Sequence, residues 1–78
     1  MQEGISAEQL RVARALLGWS RNRLAAAAGV GPRSVARVET GKPSRATVVA
    51  AIRSALEYAG VEFTDEPPGA RLRTARDA

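Results

Sequence analysis

At 78 residues the chain has room for one domain, and a core this small buries only about 60% of the surface that the unfolded chain exposes. Cysteine and histidine are both absent. This excludes disulfide staples and the usual zinc ligand sets, leaves acid–base catalysis without its commonest group, and fits a reducing cytoplasm and a protein that is not an enzyme. The net charge of +4 hides an asymmetry: between Gln9 and Arg53 stand eight arginines (11, 14, 21, 23, 33, 37, 45 and 53) and Lys42 against the single acid Glu39, while both flanks are net acidic.

A compact basic body of this kind suits a polyanion. No apolar run approaches the roughly 20 residues that span a bilayer, and the first residues lack a basic-then-apolar leader pattern, so neither membrane insertion nor export is expected. Nothing points to a cofactor, a metal or a small-molecule ligand.

In chain order, residues 1–5 read as a flexible lead. Ser6 with Gln9 forms a capping-box pattern that opens a first helix running to about Leu17, where Gly18 stops it. Its apolar stripe takes in Leu10, Val12, Ala13, Leu16 and Leu17. Ser20 caps a second helix over Arg21–Ala28 with Leu24, Ala25 and Ala28 inward, and Gly29 ends it. Gly31-Pro32 opens a third helix, since proline at the first helical position loses no hydrogen bond. Val35 and Val38 point inward from that helix, which closes at Thr40-Gly41. Ser44 is the expected cap of a fourth helix, about Arg45–Ala59, whose stripe of Val48, Ala51, Ile52, Ala55 and Leu56 faces the core.

After Gly60 the period changes to two. Val61–Thr64 and Ala70–Arg73 alternate apolar and polar about the turn-forming run Asp65-Glu66-Pro67-Pro68-Gly69. A hairpin would place Val61, Phe63 and Leu72 on one face and set Glu62 against Arg71 or Arg73; the alternative is an extended tail. Residues 74–78 read as frayed. The fold class is therefore all-α with four helices over residues 6–60, followed by a short C-terminal β-hairpin or extended tail over 61–73.

The specific signal lies in the second and third helices. Ala25, Gly29 and Val35 stand at the spacing of two helices crossing through a tight turn, with small Ala25 permitting close approach and Val38 packing beneath. Around them, the run from Leu10 to Ser20, then Leu24-Ala25, Ala28-Gly29-Val30 and Val35 to Lys42, resembles the Xre-type regulators, similar to phage Cro and repressor DNA-binding domains, over about residues 5–60. The resemblance implies a lambda-repressor-like fold, a bacterial or phage-derived transcriptional repressor that is usually a homodimer on inverted repeats, and a recognition helix at Pro32–Thr40. It also implies an ion pair between Arg14 and Glu39 that ties the first helix to the end of the third. The sequence departs from the family where glutamine is common (Arg21), where an acid is common (Arg23), and at the cap of the recognition helix, where Gly31 replaces a serine or threonine.

A recognition helix enters the major groove by its N-terminal turn. With Val35 and Val38 inward, Pro32, Arg33, Ala36 and Arg37 are the candidate base readers. Arg33 and Arg37 lie four apart on one face, and either guanidinium can bind guanine O6 and N7. Pro32 or Ala36 suits a thymine methyl. Phosphate contacts are expected from Ser20, Arg21 and Asn22 at the second helix, from Ser34, and from Lys42 and Arg45 in the loop before the fourth helix. Trp19 reads as an anchor at the first corner rather than a stacking platform.

Double-stranded DNA and a second copy of the chain are the expected partners, with Val61, Phe63 and Leu72 as the dimerisation face. A protein-interaction module such as an antitoxin or co-regulator, using the same fold, is the alternative. RNA binding is the weaker rival, because one tryptophan, one tyrosine and one phenylalanine offer little for base stacking.

Overall fold

The computed structural model describes residues 4–73. Four helices, α1 (Ala7–Leu17), α2 (Arg21–Ala28), α3 (Pro32–Glu39) and α4 (Ala46–Tyr58), precede a two-stranded antiparallel hairpin of β1 (Val61–Asp65) and β2 (Pro68–Leu72). Among the described residues no helix is long and apolar enough to cross a membrane.

Local chemistry sets most of the boundaries. Both arms of the capping box form at α1: Gln9 N donates to Ser6 Oγ at 3.1 Å and Ser6 N donates to Gln9 Oε1 at 2.9 Å. Ser20 Oγ accepts from Arg23 N at 3.0 Å and starts α2. Gly29 ends α2 at φ +71°, a left-handed conformation that a side chain disfavours, and Val30 N donates back to Ala25 O to close the turn into α3. Gly31 caps α3 with no side-chain hydrogen bond, and Pro32 follows as its first helical residue.

One seam holds the layers together. Leu10 and Ala13 of α1, Leu24 and Ala25 of α2, Val35 and Val38 of α3, and Ile52 and Leu56 of α4 are all buried. α2 packs on both α3 and α4, while α1 packs on α3 and on the hairpin. The hairpin pairs Val61 with Leu72, Glu62 with Arg71 and Phe63 with Ala70, so the period-two alternation does place Val61, Phe63 and Leu72 on one face. Arg71 Nε meets Glu62 Oε1 at 2.8 Å across the strands.

Several expectations need correction. Ser44 does not cap the fourth helix. Arg45 takes the cap position, its carbonyl accepting from Val48 N and Val49 N, while Ser44 Oγ turns back to donate to Lys42 O at 3.2 Å. The strands extend into the expected turn and leave only Glu66 and Pro67 between them. The apolar stripe of α1 is narrower than expected, because Val12 and Leu16 lie on the outer side at 37% and 39% exposure. Residues 1–5 are not all a loose lead: Ile5 belongs to the core, and a Cβ on Gly4 would run into Val49 Cγ1. The expected frayed tail at 74–78 lies outside the described residues, as do residues 1–3.

Candidate nucleic-acid interface

α3 divides cleanly. Val35 and Val38 are buried, whereas Pro32, Arg33 and Arg37 are exposed and Ser34 and Ala36 half-buried. Hence the four candidate readers lie along the outer side of a short helix whose inner side is held by the core. Among the described residues no ion pair or hydrogen bond restrains the Arg33 guanidinium. Arg37 differs: its Nη2 donates to Pro43 O at 2.8 Å, which draws the side chain toward the loop before α4.

That loop and α3 enclose an open cleft of about 400 Å³, lined by Ser34, Arg37, Pro43, Ser44, Arg45 and Val48. Two guanidinium groups and two hydroxyls border it. Arg45 supplies no side-chain cap to α4, so the first amides of that helix keep their hydrogen-bonding capacity. Lys42, which precedes the lining residue Pro43 in the chain, is exposed. The arrangement suits an anion such as a backbone phosphate.

At α2, Arg21, Asn22 and Arg23 are exposed. Ser20 Oγ accepts from Arg23 N, and its hydroxyl hydrogen stays available to donate to an outside acceptor such as a phosphate oxygen. The Arg23 guanidinium lies over the Trp19 ring, 5.0 Å from its centroid, and Trp19 packs against the core at the α1–α2 corner.

The lone acid of the basic segment is withdrawn from the surface. Glu39 is only 3% exposed. Its Oε2 accepts from Arg14 Nη2 at 2.7 Å, its Oε1 accepts from Arg21 Nε at 3.0 Å, and its carbonyl accepts from Arg11 Nη1 at 2.7 Å. Arg14 Nη1 also donates to Trp19 O, so one guanidinium ties α1 to the α1–α2 corner and to the end of α3. Burial alone would push the Glu39 carboxyl up, but the hydrogen bonds and charges of Arg14 and Arg21 outweigh it and hold the group below the usual carboxylate range. A buried, ionised Glu39 leaves the exposed face uniformly basic, with no outward carboxylate among α2 and α3.

The structure thus brings together the Arg14–Glu39 pair that the resemblance implied, and adds two partners that sequence reasoning missed. Arg11 stands three residues before Arg14 and so shares its side of α1; that spacing was the available signal. Arg21, expected only as a phosphate contact, is half-committed to Glu39, and no local pattern indicates that a residue at the start of α2 reaches the end of α3. Gln9 has a second role that its local sequence does not show. Beyond the capping box, its Nε2 donates to Thr64 O at 3.0 Å and Gly69 O at 3.1 Å, clamping the hairpin to α1.

Of the proposed dimerisation residues, Val61 has no accessible surface and packs in the core, because β1 departs directly from the end of α4 and turns its first residue inward. Phe63 is half-buried, with the Arg53 guanidinium 5.4 Å from its ring centroid. Leu72 is 47% exposed. Only Phe63 and Leu72 of the three have surface to offer a partner. Arg53 is drawn away from the basic face, pairing with Glu57 at 2.9 Å.

No curated protein matches the chain. A family model described as a helix-turn-helix domain matches residues 7–65, spanning all four helices and the first strand. The paired short helices α2 and α3, the glycine turn between them and the exposed basic side of α3 agree with that match, and the chain belongs to the helix-turn-helix domain family.

Proposed function

We propose that this chain is a sequence-specific double-stranded-DNA-binding regulator of the Xre type, a cytoplasmic repressor without catalytic activity that works as a homodimer on an inverted repeat. The observation that carries the reading is the outer side of α3, where Arg33 and Arg37 are exposed four residues apart above a buried Val35 and Val38. An arginine that reaches a guanine edge bidentately contributes about 1–3 kcal/mol of discrimination. Arg33, free of internal bonds among the described residues, is the principal reader. Arg37 joins it after exchanging its bond to Pro43 O for one to a base. Asn22, Ser34, Lys42 and Arg45, with the cleft between α3 and α4, hold the phosphate backbone, and Pro32 and Ala36 flank the base edges.

The small core and the need for two half-sites support a dimer, with the face carrying Phe63 and Leu72 as its contact. Two reader helices related by a twofold axis would stand about 34–36 Å apart, or a multiple of that. Selection of bound duplexes from a random pool, with the mass of the complex measured by sedimentation, tests both parts. An inverted repeat bound by two chains is expected. Enrichment of no sequence removes the specificity, and one chain per duplex removes the dimer.

A protein-interaction module, an antitoxin or co-regulator, is the second reading. The exposed apolar side chains of Val12, Leu16 and Leu72 favour it, and it predicts no sequence enrichment in the same selection.

A further inference from the structure

Arg21 is held in an unusual way for a surface arginine. Its side chain is 50% exposed, yet Nε donates at 3.0 Å to a carboxylate whose own side chain is only 4% exposed. That carboxylate is fixed in turn by Arg14 at 2.7 Å on its other oxygen, and by Arg11 on the main chain of the same residue. Among the described residues the hydrogen bond of Arg21 uses Nε alone, leaving Nη1 and Nη2 for an acceptor outside the protein.

From this geometry we infer that Glu39 is a positioning residue for DNA binding: its Oε1 anchors Arg21 by Nε so that the two Nη groups stand ready for one backbone phosphate at the start of α2. The inference rests on the DNA-binding reading above. A long side chain loses rotamer freedom when it grips a phosphate; here that loss is met during folding, by a bond made to the core. The buried acid therefore does two things with its two oxygens. Oε2 joins α1 to α3 through Arg14, and Oε1 orients a cation at the interface.

Two further features support this use of the guanidinium. The first amides of α2 at Arg21 and Asn22 precede the one that Ser20 caps, so they lie beside Arg21 with their hydrogen-bonding capacity open. A guanidinium spreads its donors over a rigid planar fork, so Nε can face Glu39 while Nη1 and Nη2 face away from it, whereas an ammonium gathers all its donors on one atom. Lysine at this position would have to bring its single nitrogen within reach of both Glu39 and the phosphate to serve the two together.

The test uses the full chain and a duplex of fixed sequence, with affinity measured by fluorescence anisotropy over a series of salt concentrations, for wild type, Arg21→Ala, Arg21→Lys and Glu39→Gln. Circular dichroism is recorded alongside, at a temperature where each variant is folded. Loss of one phosphate contact should lower the slope of log K against log salt by about 0.9 for Arg21→Ala. Arg21→Lys, although it keeps the charge, should recover less than half of the lost affinity. Folded Glu39→Gln should lose affinity for the same duplex, and a folded variant that binds with wild-type affinity overturns the proposal.

An Arg21→Ala variant with wild-type slope and affinity overturns the proposal and leaves the DNA-binding reading intact. Full recovery by Arg21→Lys also overturns it, since a plain positive charge would then suffice. A wild type whose binding shows no salt dependence overturns the DNA-binding reading and this inference with it. Should Glu39→Gln be unfolded at every temperature, the two Arg21 variants, which leave the buried carboxylate and Arg14 in place, decide the matter.

Discussion

Replacing Glu39 with glutamine keeps the side chain's shape and removes its charge, which isolates what the ion pairs contribute. In the native chain Oε2 is 2.7 Å from Arg14 and Oε1 is 3.0 Å from Arg21, with 4% of the glutamate side chain exposed against 23% and 50% for the two arginines. Glutamine can accept from one arginine only and turns an NH2 donor toward the other. Arg14, whose Nε is already buried without a partner among the described residues, would then keep Trp19 O and at best a neutral acceptor. Removing one member of a buried pair costs about 3–5 kcal/mol. The partial exposure of both arginines puts this case at the low end, about 3 kcal/mol, with the half-exposed Arg21 contributing less than about 1 kcal/mol of it. For a domain of this size each kcal/mol moves the midpoint by about 4–8 °C, so Glu39→Gln should lower Tm by about 12–24 °C at neutral pH.

The pH dependence follows from the depressed carboxyl. A group whose folded pKa lies below its unfolded value stabilises the fold above the unfolded value, near 4.3 for glutamate, and that contribution is lost as pH falls through the folded value. The gap between wild type and Glu39→Gln should therefore be full above about pH 5 and shrink on further acidification. Thermal and urea unfolding followed by circular dichroism, on both proteins across this range, measures it. A difference below about 0.5 kcal/mol at neutral pH, the scatter of ordinary surface changes, would refute the account of Glu39 as a buried junction.

Other outcomes follow from the same structure. Gln9→Glu keeps the acceptor for Ser6 N but aims a carboxylate oxygen at Thr64 O and Gly69 O in place of the amide donor; about 2 kcal/mol should be lost, with hydrogen exchange quickening in the hairpin first. Uniform exchange throughout the chain would remove the clamp role. Gly29→Ala meets no atom within 4 Å but holds φ +71°, so a loss of about 1 kcal/mol is expected from backbone strain alone, and an unchanged Tm would contradict it. Arg33→Ala should reduce discrimination at one or two base pairs of a selected site, by about 1–3 kcal/mol, whereas Lys42→Ala should weaken all duplexes alike and lower the salt slope by about 0.9. If both variants lose affinity uniformly, Arg33 is a phosphate contact and not a reader.

The amino-acid sequence alone determined the helices and the division of α3 into an inner and an outer side. Caps at Ser6 and Ser20, glycines at 18 and 29, Pro32 after Gly31 and the three-and-four spacing of Ile52 and Leu56 act over a single turn, and such signals are written in neighbouring residues. The clustering of exposed cations between Arg21 and Arg45 is legible for the same reason: with Val35 and Val38 inward, Arg33 and Arg37 have no other side to occupy.

What only the tertiary structure decided depends on groups far apart in the chain. Gln9 reaches carbonyls 55 and 60 residues away, and its capping role gave no sign that its free Nε2 would be needed there. Val12 and Leu16 belong to an apolar stripe by spacing, yet α3 and the hairpin cover only part of α1, leaving both outside. Val61 alternates correctly but enters the core, because β1 begins where α4 ends. Above all, the fate of Arg21 was undecided until α3 brought Glu39 beside the start of α2. A carboxylate has two oxygens, Arg14 occupies one, and the approach of the helices decides which residue takes the other.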